Sequence, residues 1–244
     1  MKSISSATLL SAYLLSGANS KAIKGTSIGG WLVLESWITP SLFYRFLGKT
    51  KEEGVGMDAY TVCEALGPTE GNKLMRAHWD SWFTEEHLKG LKQRGIEMIR
   101  LPIGDWTLKE DQYGPYVGCM DGAQDKVDWL YEMADKYDIK VLLDVHALKG
   151  SQNPFDNSGR CQDLEWTDSN NFVHWPISAS YWMGKWNRQT NRYDSIDHDN
   201  INRSLRVNRK LVQRWRQHAS FHAFEPVNEP WAQSDDNVLK DYYR

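Results

Sequence analysis

An α/β fold built on a parallel sheet is predicted by two features of this 244-residue sequence. Short apolar runs of the kind that form strands buried on both faces recur along the chain. Helical patterns stand between the later runs. Strands and helices in alternation are typical of a parallel sheet with right-handed crossovers, and no repeat or linker divides the chain. We therefore expect one domain.

Four segments are predicted to be strands that lead into polar residues. In chain order they are Ile23–Leu34, Gly95–Ile103, Ile139–His146 and Phe221–Pro230.

Three segments are predicted to be helices, and each precedes one of the later strands. Thr84–Arg94 has Thr84 as a candidate N-cap, acidic residues in its first turn and basic residues in its last. Gly95 follows at the position that favours glycine after a helix. Ala123–Tyr137 has apolar residues at helical spacing, and Arg203–His218 forms a long basic helix with an apolar face.

Long connections follow the second and third strands, and the longest runs from His146 to Asn202. Decorated loops after the strands favour a (β/α) barrel whose site lies at the C-terminal ends of its strands. The alternative, a doubly wound sheet, needs a glycine turn that holds phosphate after its first strand. GTSIGG does not fit that pattern, and LGKT lacks the leading glycine of a P-loop because Phe43 stands there. We therefore do not expect nucleotide binding.

Composition narrows the possible functions. The formal net charge of -3 gives no reason to expect nucleic acid as a partner. The 12 Trp and 11 Tyr exceed what a core of this size needs. Part of this set packs the core, and the remainder suits sugars, whose C–H faces stack on flat apolar rings.

The first 20 residues resemble a secretory signal peptide. Lys2 precedes a short apolar stretch, and Ala18 and Ser20 fit the cleavage pattern. The stretch is too short to span a bilayer, and we expect no membrane span elsewhere. The sequence thus predicts a leader over residues 1–20, a barrel domain over 21–244 and a secreted protein found outside the cell or in its wall.

The cysteines are Cys63, Cys119 and Cys161, so at least one has no partner within the chain. The sequence leaves open whether two of them pair, and which two.

Polar residues at the ends of the predicted strands are the candidates for chemistry, since such residues point into the site of a barrel. They are Glu35, Arg100, Asp144, His146, Asn228 and Glu229. His218 and His222 would lie at the opposite rim, and neither HExxH nor GxSxG occurs. We expect no metal, no cofactor and no serine nucleophile.

The stretch FEPVNEPW, residues 224–231, suits cleavage of a glycosidic bond. Such a reaction needs a carboxylic acid that protonates the leaving oxygen and then activates water, and Glu229 fits this role. Asn228 can bind a sugar 2-hydroxyl. Glu225 lies four residues earlier, and we interpret it as structural.

With that stretch, the chain resembles the family 5 glycoside hydrolases, in particular the fungal and oomycete exo-1,3-β-glucanases. The resemblance rests on four blocks in family order: GGWLVLESWITPSLF, IRLPIGDW, LLDVHALKGSQNPFDNSG and FEPVNEPW. It implies a (β/α)8 TIM barrel and a retaining enzyme that releases glucose from the non-reducing end of β-1,3-glucan.

The resemblance also assigns roles to residues. Glu229 matches the acid/base, and Asn228 matches the amide before it. His146 and Arg100 match residues around the glucose whose bond is cleaved, and Glu35 matches a carboxylate that holds the terminal glucose.

Three further matches lie in one block. Asp156 and Asn157 match sugar-contacting positions, and Phe155 matches an aromatic residue at the entrance.

A retaining glycosidase needs a second carboxylate roughly 5–5.5 Å from the acid, as nucleophile. In the family it follows strand seven, whereas the acids after Glu229 lie in a predicted loop or helix. We therefore expect the N-terminal half of a barrel, about four β/α units, truncated after the fourth strand. A glucan-binding remnant without hydrolysis and an unstable fragment remain the alternatives, and the oligomeric state stays undetermined.

Overall fold

The computed structural model describes residues 22–50, 52–161, 165–167, 172–174 and 179–244. The predicted leader, residues 1–20, lies outside this range. No helix in the described part of the chain is long and apolar enough to cross a membrane.

The predicted helices and strands are present, and further elements lie between them. The strands are β1 (Gly25–Ser27), β2 (Met98–Gly104), β3 (Lys140–Ala147), β4 (Glu165–Thr167), β5 (Phe172–His174), β6 (Gly184–Asn187), β7 (Arg192–Ile196) and β8 (Phe221–Glu225). The helices are α1 (Pro40–Phe43), α2 (Ala59–Trp82), α3 (Glu85–Gln93), α4 (Tyr116–Cys119), α5 (Ala123–Tyr137), α6 (His198–Trp215) and α7 (Asp236–Tyr242).

The central sheet has four parallel strands in the order β1-β2-β3-β8. This confirms the predicted α/β class with a parallel sheet. Strands β2 and β3 lie within one to three residues of their predicted bounds. Both are apolar runs without internal glycine, so the sequence pattern alone places them well.

The predicted first and fourth strands were too long. Strand β1 covers only Gly25–Ser27, because the chain turns at Gly29 and Gly30, where Gly30 takes a φ of 68°. Strand β8 ends at Glu225 because Pro226 has no N–H to continue the ladder. Glu35 and Glu229 therefore lie in turns beyond the strands.

The sheet has an apolar face and a polar face. Ile99, Leu101 and Leu143 are fully buried. Side chains alternate along a strand, so Arg100 and Glu225 point to the opposite face, where they form an ion pair. The polar face carries the candidate site, and in a barrel it would correspond to the inner surface.

Helix α3 begins and ends where the sequence predicts. Thr84 is its N-cap in a capping box with His87. Gly95, at a φ of 78°, donates its N–H to Lys92 O, and Ile96 donates to Leu91 O. These two bonds form a Schellman motif, in which glycine supplies the left-handed residue.

Helix α5 has the predicted bounds, whereas α6 begins five residues earlier than expected. The Asp197 carboxylate accepts the backbone N–H of Asn200 and so caps α6. This Asp N-cap precedes the apolar pattern on which the prediction rested.

Helix α2 and the two hairpins β4–β5 and β6–β7 were not predicted. Helix α2 runs over 24 residues with non-helical backbone at Gly67, ahead of Pro68. Both hairpins lie in the connection from His146 to Asn202, for which the sequence predicts only loop. Their strands have three to five residues, too short for periodicity to reveal.

A disulfide joins Cys63 in α2 to Cys119 in α4, and it settles the pairing that the sequence left open. The free cysteine, Cys161, is buried.

Candidate active site

Glu229 lies four residues beyond β8, in a turn on the polar side of the sheet. Its φ of 43° is in the left-handed region, which a non-glycine residue rarely adopts. Two asparagines of the preceding long connection hold it. Asn157 Nδ2 donates to Glu229 Oε2 at 3.1 Å, and Asn153 Nδ2 donates to the Glu229 carbonyl at 3.1 Å.

Arg100 links three of the neighbouring polar groups. Its Nε and Nη2 donate to the two carboxylate oxygens of Glu225 at 2.9 and 3.0 Å. Nη2 also lies 2.7 Å from Asn228 Oδ1 and 3.0 Å from Asp144 Oδ2. Burial alone would lower the pKa of Arg100, but the bond to Glu225 and the charge of Asp144 raise it above its ordinary value. Arg100 is thus a cation held in place by two carboxylates.

Asp144 connects this group to His146. Its fully buried side chain is 2.6 Å from His146 Nδ1. Burial raises the pKa of Asp144 above its ordinary value, although His146 and Arg100 oppose the shift. The Asp144 contact occupies Nδ1 and leaves Nε2 as the imidazole nitrogen available for a ligand.

The Asn228 amide has a defined orientation. Because Oδ1 accepts from Arg100, the amino group points the other way, and this buried Nδ2 bonds to no described protein atom. The backbone is held as well, since Asn228 N–H donates to Val145 O and Gln152 Nε2 donates to Asn228 O. The oriented donor can bind a hydroxyl group.

Glu35 and Asp156 lie on neighbouring loops. Glu35 Oε1 accepts the N–H of Gly30 at 2.9 Å, so this carboxylate belongs to the turn after β1. Asp156 Oδ2 accepts from Ser36 Oγ at 3.0 Å, which ties the two loops together. Phe155 is 53% exposed, as a side chain at an entrance would be.

The structure thus brings together two hydrogen-bonded pairs, Asn157 with Glu229 and Arg100 with Asn228, which meet at the adjacent residues 228 and 229. His146 joins them through Asp144, which contacts Arg100. Glu35 and Asp156 share a contact through the segment 35–36 but do not bond to Glu229.

Three residues near the site were not singled out from the sequence. Gln152 and Asn153 hold the backbone of the Asn228–Glu229 turn. Trp37 is 82% exposed beside Ser36. Gln152 and Asn153 lie within the block that carries Phe155, so proximity in sequence was the available signal.

No group of three or more His, Cys, Asp or Glu side chains within the described ranges could hold a metal ion.

The chain is similar to curated enzymes over nearly all of its length. It is 32% identical over 229 residues to the glucan 1,3-beta-glucosidase of Blumeria graminis, a match that covers 92% of this chain and 45% of the relative. It is 35% identical over 233 residues to the glucan 1,3-beta-glucosidase of Lachancea kluyveri, covering 93% of this chain and 46% of the relative.

The chain is thus a sequence relative of the glucan 1,3-beta-glucosidases. A shorter match, 45% identical over 138 residues, relates it to glucan 1,3-beta-glucosidase 2 of Candida albicans, with 56% of this chain and 28% of the relative covered. The chain thus spans less than half the length of these relatives. No protein-family profile matches it.

Solved structures show the same fold. The rutinosidase of Aspergillus niger superposes with a TM-score of 0.60 at 19% identity, over 88% of this chain and 49% of that one. At this identity the likeness shows the fold alone. It confirms the predicted TIM-barrel type of fold, of which this chain covers about half.

Proposed function

We propose that this chain carries the sugar-binding and proton-donating part of a glucan 1,3-beta-glucosidase site, which releases glucose from the non-reducing end of β-1,3-glucan. The observation that carries the proposal is the Asn228–Glu229 turn. It presents a carboxyl group bonded to Asn157 and, beside it, an amide whose Nδ2 is oriented by Arg100. The family relationship supports the same assignment.

Glu229 is proposed as the general acid and base. It protonates the oxygen of the leaving sugar and later takes a proton from the water that releases glucose. Asn157 donates to Oε2, which leaves Oε1 for the leaving oxygen.

The neighbouring polar groups are proposed to hold the glucose. Asn228 Nδ2 donates to the 2-hydroxyl, a bond that strengthens as positive charge develops on the sugar. His146 and Arg100 lie beside it, and Arg100 acts mainly by orienting Asn228. Glu35 is proposed to bind the terminal glucose.

The loop beyond supplies further contacts. Asp156 and Asn157 are proposed to bind sugar hydroxyls, and the exposed ring of Phe155 to stack on the sugar at the entrance.

The nucleophile is proposed to come from the part of the relatives' length that this chain does not cover. The other carboxylates of the described site already have partners. Glu225 and Asp144 bind Arg100, Glu35 binds the Gly30 N–H, and Asp156 binds Ser36. We therefore expect the 244-residue chain to bind laminari-oligosaccharides without releasing glucose.

The test is calorimetric titration of the 244-residue chain with laminaritriose, beside a chromatographic assay for glucose released from laminarin. Binding that Asn228→Ala weakens about tenfold supports the proposal, as expected for a lost bond in a buried site. Cellotriose is the control for linkage. A folded chain that binds neither sugar contradicts the proposal.

Hydrolysis by the chain itself would show that one of the paired carboxylates acts as nucleophile. Binding without hydrolysis, in a form that has the full family length, would favour the alternative of a glucan-binding protein.

We also propose that the protein is secreted after removal of residues 1–20. The Cys63–Cys119 disulfide supports an oxidising compartment. N-terminal sequencing of protein recovered from the culture medium should begin near Lys21, and a retained Met1 would contradict the proposal.

A further inference from the structure

The segment 151–161, here called the site loop, is held against Glu229 on one side. Asn157 reaches the Glu229 carboxylate, and Asn153 reaches the Glu229 carbonyl. Gln152 donates to Asn228 O at 3.0 Å. The placement of the proposed sugar-binding residues therefore depends on the placement of this loop.

The other side of the site loop is held at its exit by the start of α2. Asp58 Oδ2 accepts the backbone N–H of Cys161 at 2.7 Å. Gly159 O accepts the N–H of Tyr60 at 2.9 Å and the hydroxyl of Tyr116 at 2.9 Å. Three bonds within three residues thus anchor the loop exit, two of them to the start of α2 and one to Tyr116 in α4.

Asp58 also begins α2. Its Oδ1 accepts the N–H and the hydroxyl of Thr61, each at 2.8 Å, in a capping box. One carboxylate therefore uses one oxygen for the helix and the other for the site loop. A serine or threonine would serve as N-cap equally well, but its shorter side chain carries a single oxygen atom.

The Asp58 carboxylate is wholly buried, and it has anionic and neutral neighbours. Burial raises the pKa of Asp58 to about 6, although its bonds to Thr61 and Cys161 oppose the shift. Asp156 adds to the rise. The Tyr116 hydroxyl and the Cys161 thiol also face it. A serine or threonine N-cap would satisfy the helix without burying a carboxylate. The contact that requires an aspartate here is therefore the second one, with the Cys161 N–H.

We propose that Asp58 is a positioning residue: by anchoring the exit of the site loop, it holds the Asn157 amide against Glu229. The inference rests on the proposed function for its effect on sugar. Asn157 lies only four residues before Cys161. Motion of the loop exit is therefore transmitted to Asn157, because only three residues separate them. Gly159 between them is packed against Trp106, where an added Cβ would lie 2.3 Å from the ring.

Two variants separate the roles of Asp58. Asp58→Ser keeps an oxygen for Thr61 N–H but does not reach Cys161, so it removes the loop contact and spares the cap. Thr61→Val is the matched control. It removes the hydroxyl bonds of the capping box and leaves the bond between Asp58 and Cys161 intact.

The experiment measures two quantities on the folded 244-residue chain with its disulfide intact. The first is the rate at which a thiol reagent labels Cys161, the free cysteine at the loop exit. The second is the affinity for laminaritriose. Both variants are checked for folding by circular dichroism and thermal unfolding.

We expect Asp58→Ser to label about tenfold faster and to bind laminaritriose about tenfold more weakly, the effect of one unpaired buried N–H. Thr61→Val should stay within about twofold of the unmodified chain on both, since its changes remain within the cap. Because Thr61→Val also destabilises α2, its labelling rate measures how much of any increase comes from loss of helix stability alone.

An unchanged labelling rate in Asp58→Ser overturns the inference, and so does faster labelling with unchanged affinity. Equal effects in both variants would reduce Asp58 to a helix cap and overturn it as well. If the unmodified chain binds no laminaritriose, the proposed function fails, and the labelling rates alone then decide whether Asp58 anchors the loop.

Discussion

Glu229 has an unusual backbone conformation. Its left-handed φ of 43° turns the chain at the end of a strand, and the bonds from Asn153 and Gln152 to this turn oppose relaxation. Strain of this kind costs on the order of 1–3 kcal/mol and persists only where the surroundings hold it. The strained turn fixes the direction in which the Glu229 carboxyl group points.

Replacing the carboxyl group of Glu229 tests its proposed role directly. In any form of the protein that cleaves laminarin, Glu229→Gln should nearly abolish that cleavage, because the amide cannot protonate the leaving oxygen. It should spare the first step on aryl glucosides with strongly acidic leaving groups, which need no proton. Initial rates on the two substrates give the comparison.

Glu225→Gln is the comparison variant: Glu225 holds Arg100 and is not proposed to donate a proton, so any loss in this variant should be equal on the two substrates. An equal loss on both substrates in Glu229→Gln would argue that Glu229 is not the acid.

Asp58 should make stability depend on pH in the mildly acidic range. Burial raises its pKa from 3.8 to about 6, so the folded chain holds this proton more tightly than the unfolded chain does. The resulting stabilisation is present below about pH 4 and is lost as the pH rises through about 6. A shift of this size corresponds to about 3 kcal/mol.

Urea denaturation of the unmodified chain and of Asp58→Asn between pH 4 and 7 measures this effect. The unmodified-minus-variant difference in unfolding free energy should fall as the pH rises and level off near pH 7. A difference that stays constant would mean that Asp58 has an ordinary pKa.

At the scale of elements, helix α2 depends on a glycine that its pattern does not reveal. Gly67 takes φ 68° and ψ −179°, a conformation reserved for glycine, and Pro68 follows it. Nothing lies within 4 Å of a Cβ built there. The requirement is therefore one of backbone conformation and not of space.

Gly67→Ala should lower the unfolding free energy by about 1–3 kcal/mol through backbone strain alone. Gly90→Ala, inside α3, should instead raise it by up to about 1 kcal/mol, because alanine favours a helix. There the added Cβ meets only the flexible end of Arg94, at 3.0 Å. Thermal unfolding of both variants gives the comparison, and a loss in Gly90→Ala as large as in Gly67→Ala would contradict this account.

At the scale of the whole molecule, the described sheet has two outer strands, β1 and β8. In a closed barrel every strand is paired on both sides, whereas an outer strand can pair with another chain. The inner face beside β8 carries half-buried side chains, among them Ala223 and Glu225. These features favour association through the outer strands.

We expect the 244-residue chain to show a sedimentation coefficient that rises with protein concentration. Ala223→Lys, which places a charge on the outer strand, should shift the chain toward monomer. Ala219→Lys, in the turn just before β8, is the matched control. A monomer at all concentrations with a sharp unfolding transition would contradict the expectation.

The sequence by itself determined what depends on neighbouring residues along the chain. Capping residues predict where α3 begins, at Thr84, and where it ends, before Gly95. Apolar periodicity over a few turns predicts the bounds of the helix Ala123–Tyr137. The apolar runs of β2 and β3 are read in the same way. The asparagine–glutamate pair of FEPVNEPW is likewise a local pattern, and it carries the prediction of an acid/base residue.

Only the tertiary structure decided what depends on residues far apart in sequence. Cys63 pairs with Cys119 over a separation of 56 residues. Arg100 meets Glu225 across 125 residues, and Asp58 meets Cys161 across 103. Each of these side chains had many chemically acceptable partners, and the packing of the sheet against its helices selected among them. Periodicity and capping act over a few residues, so they carry no information on which of the distant groups the fold brings together.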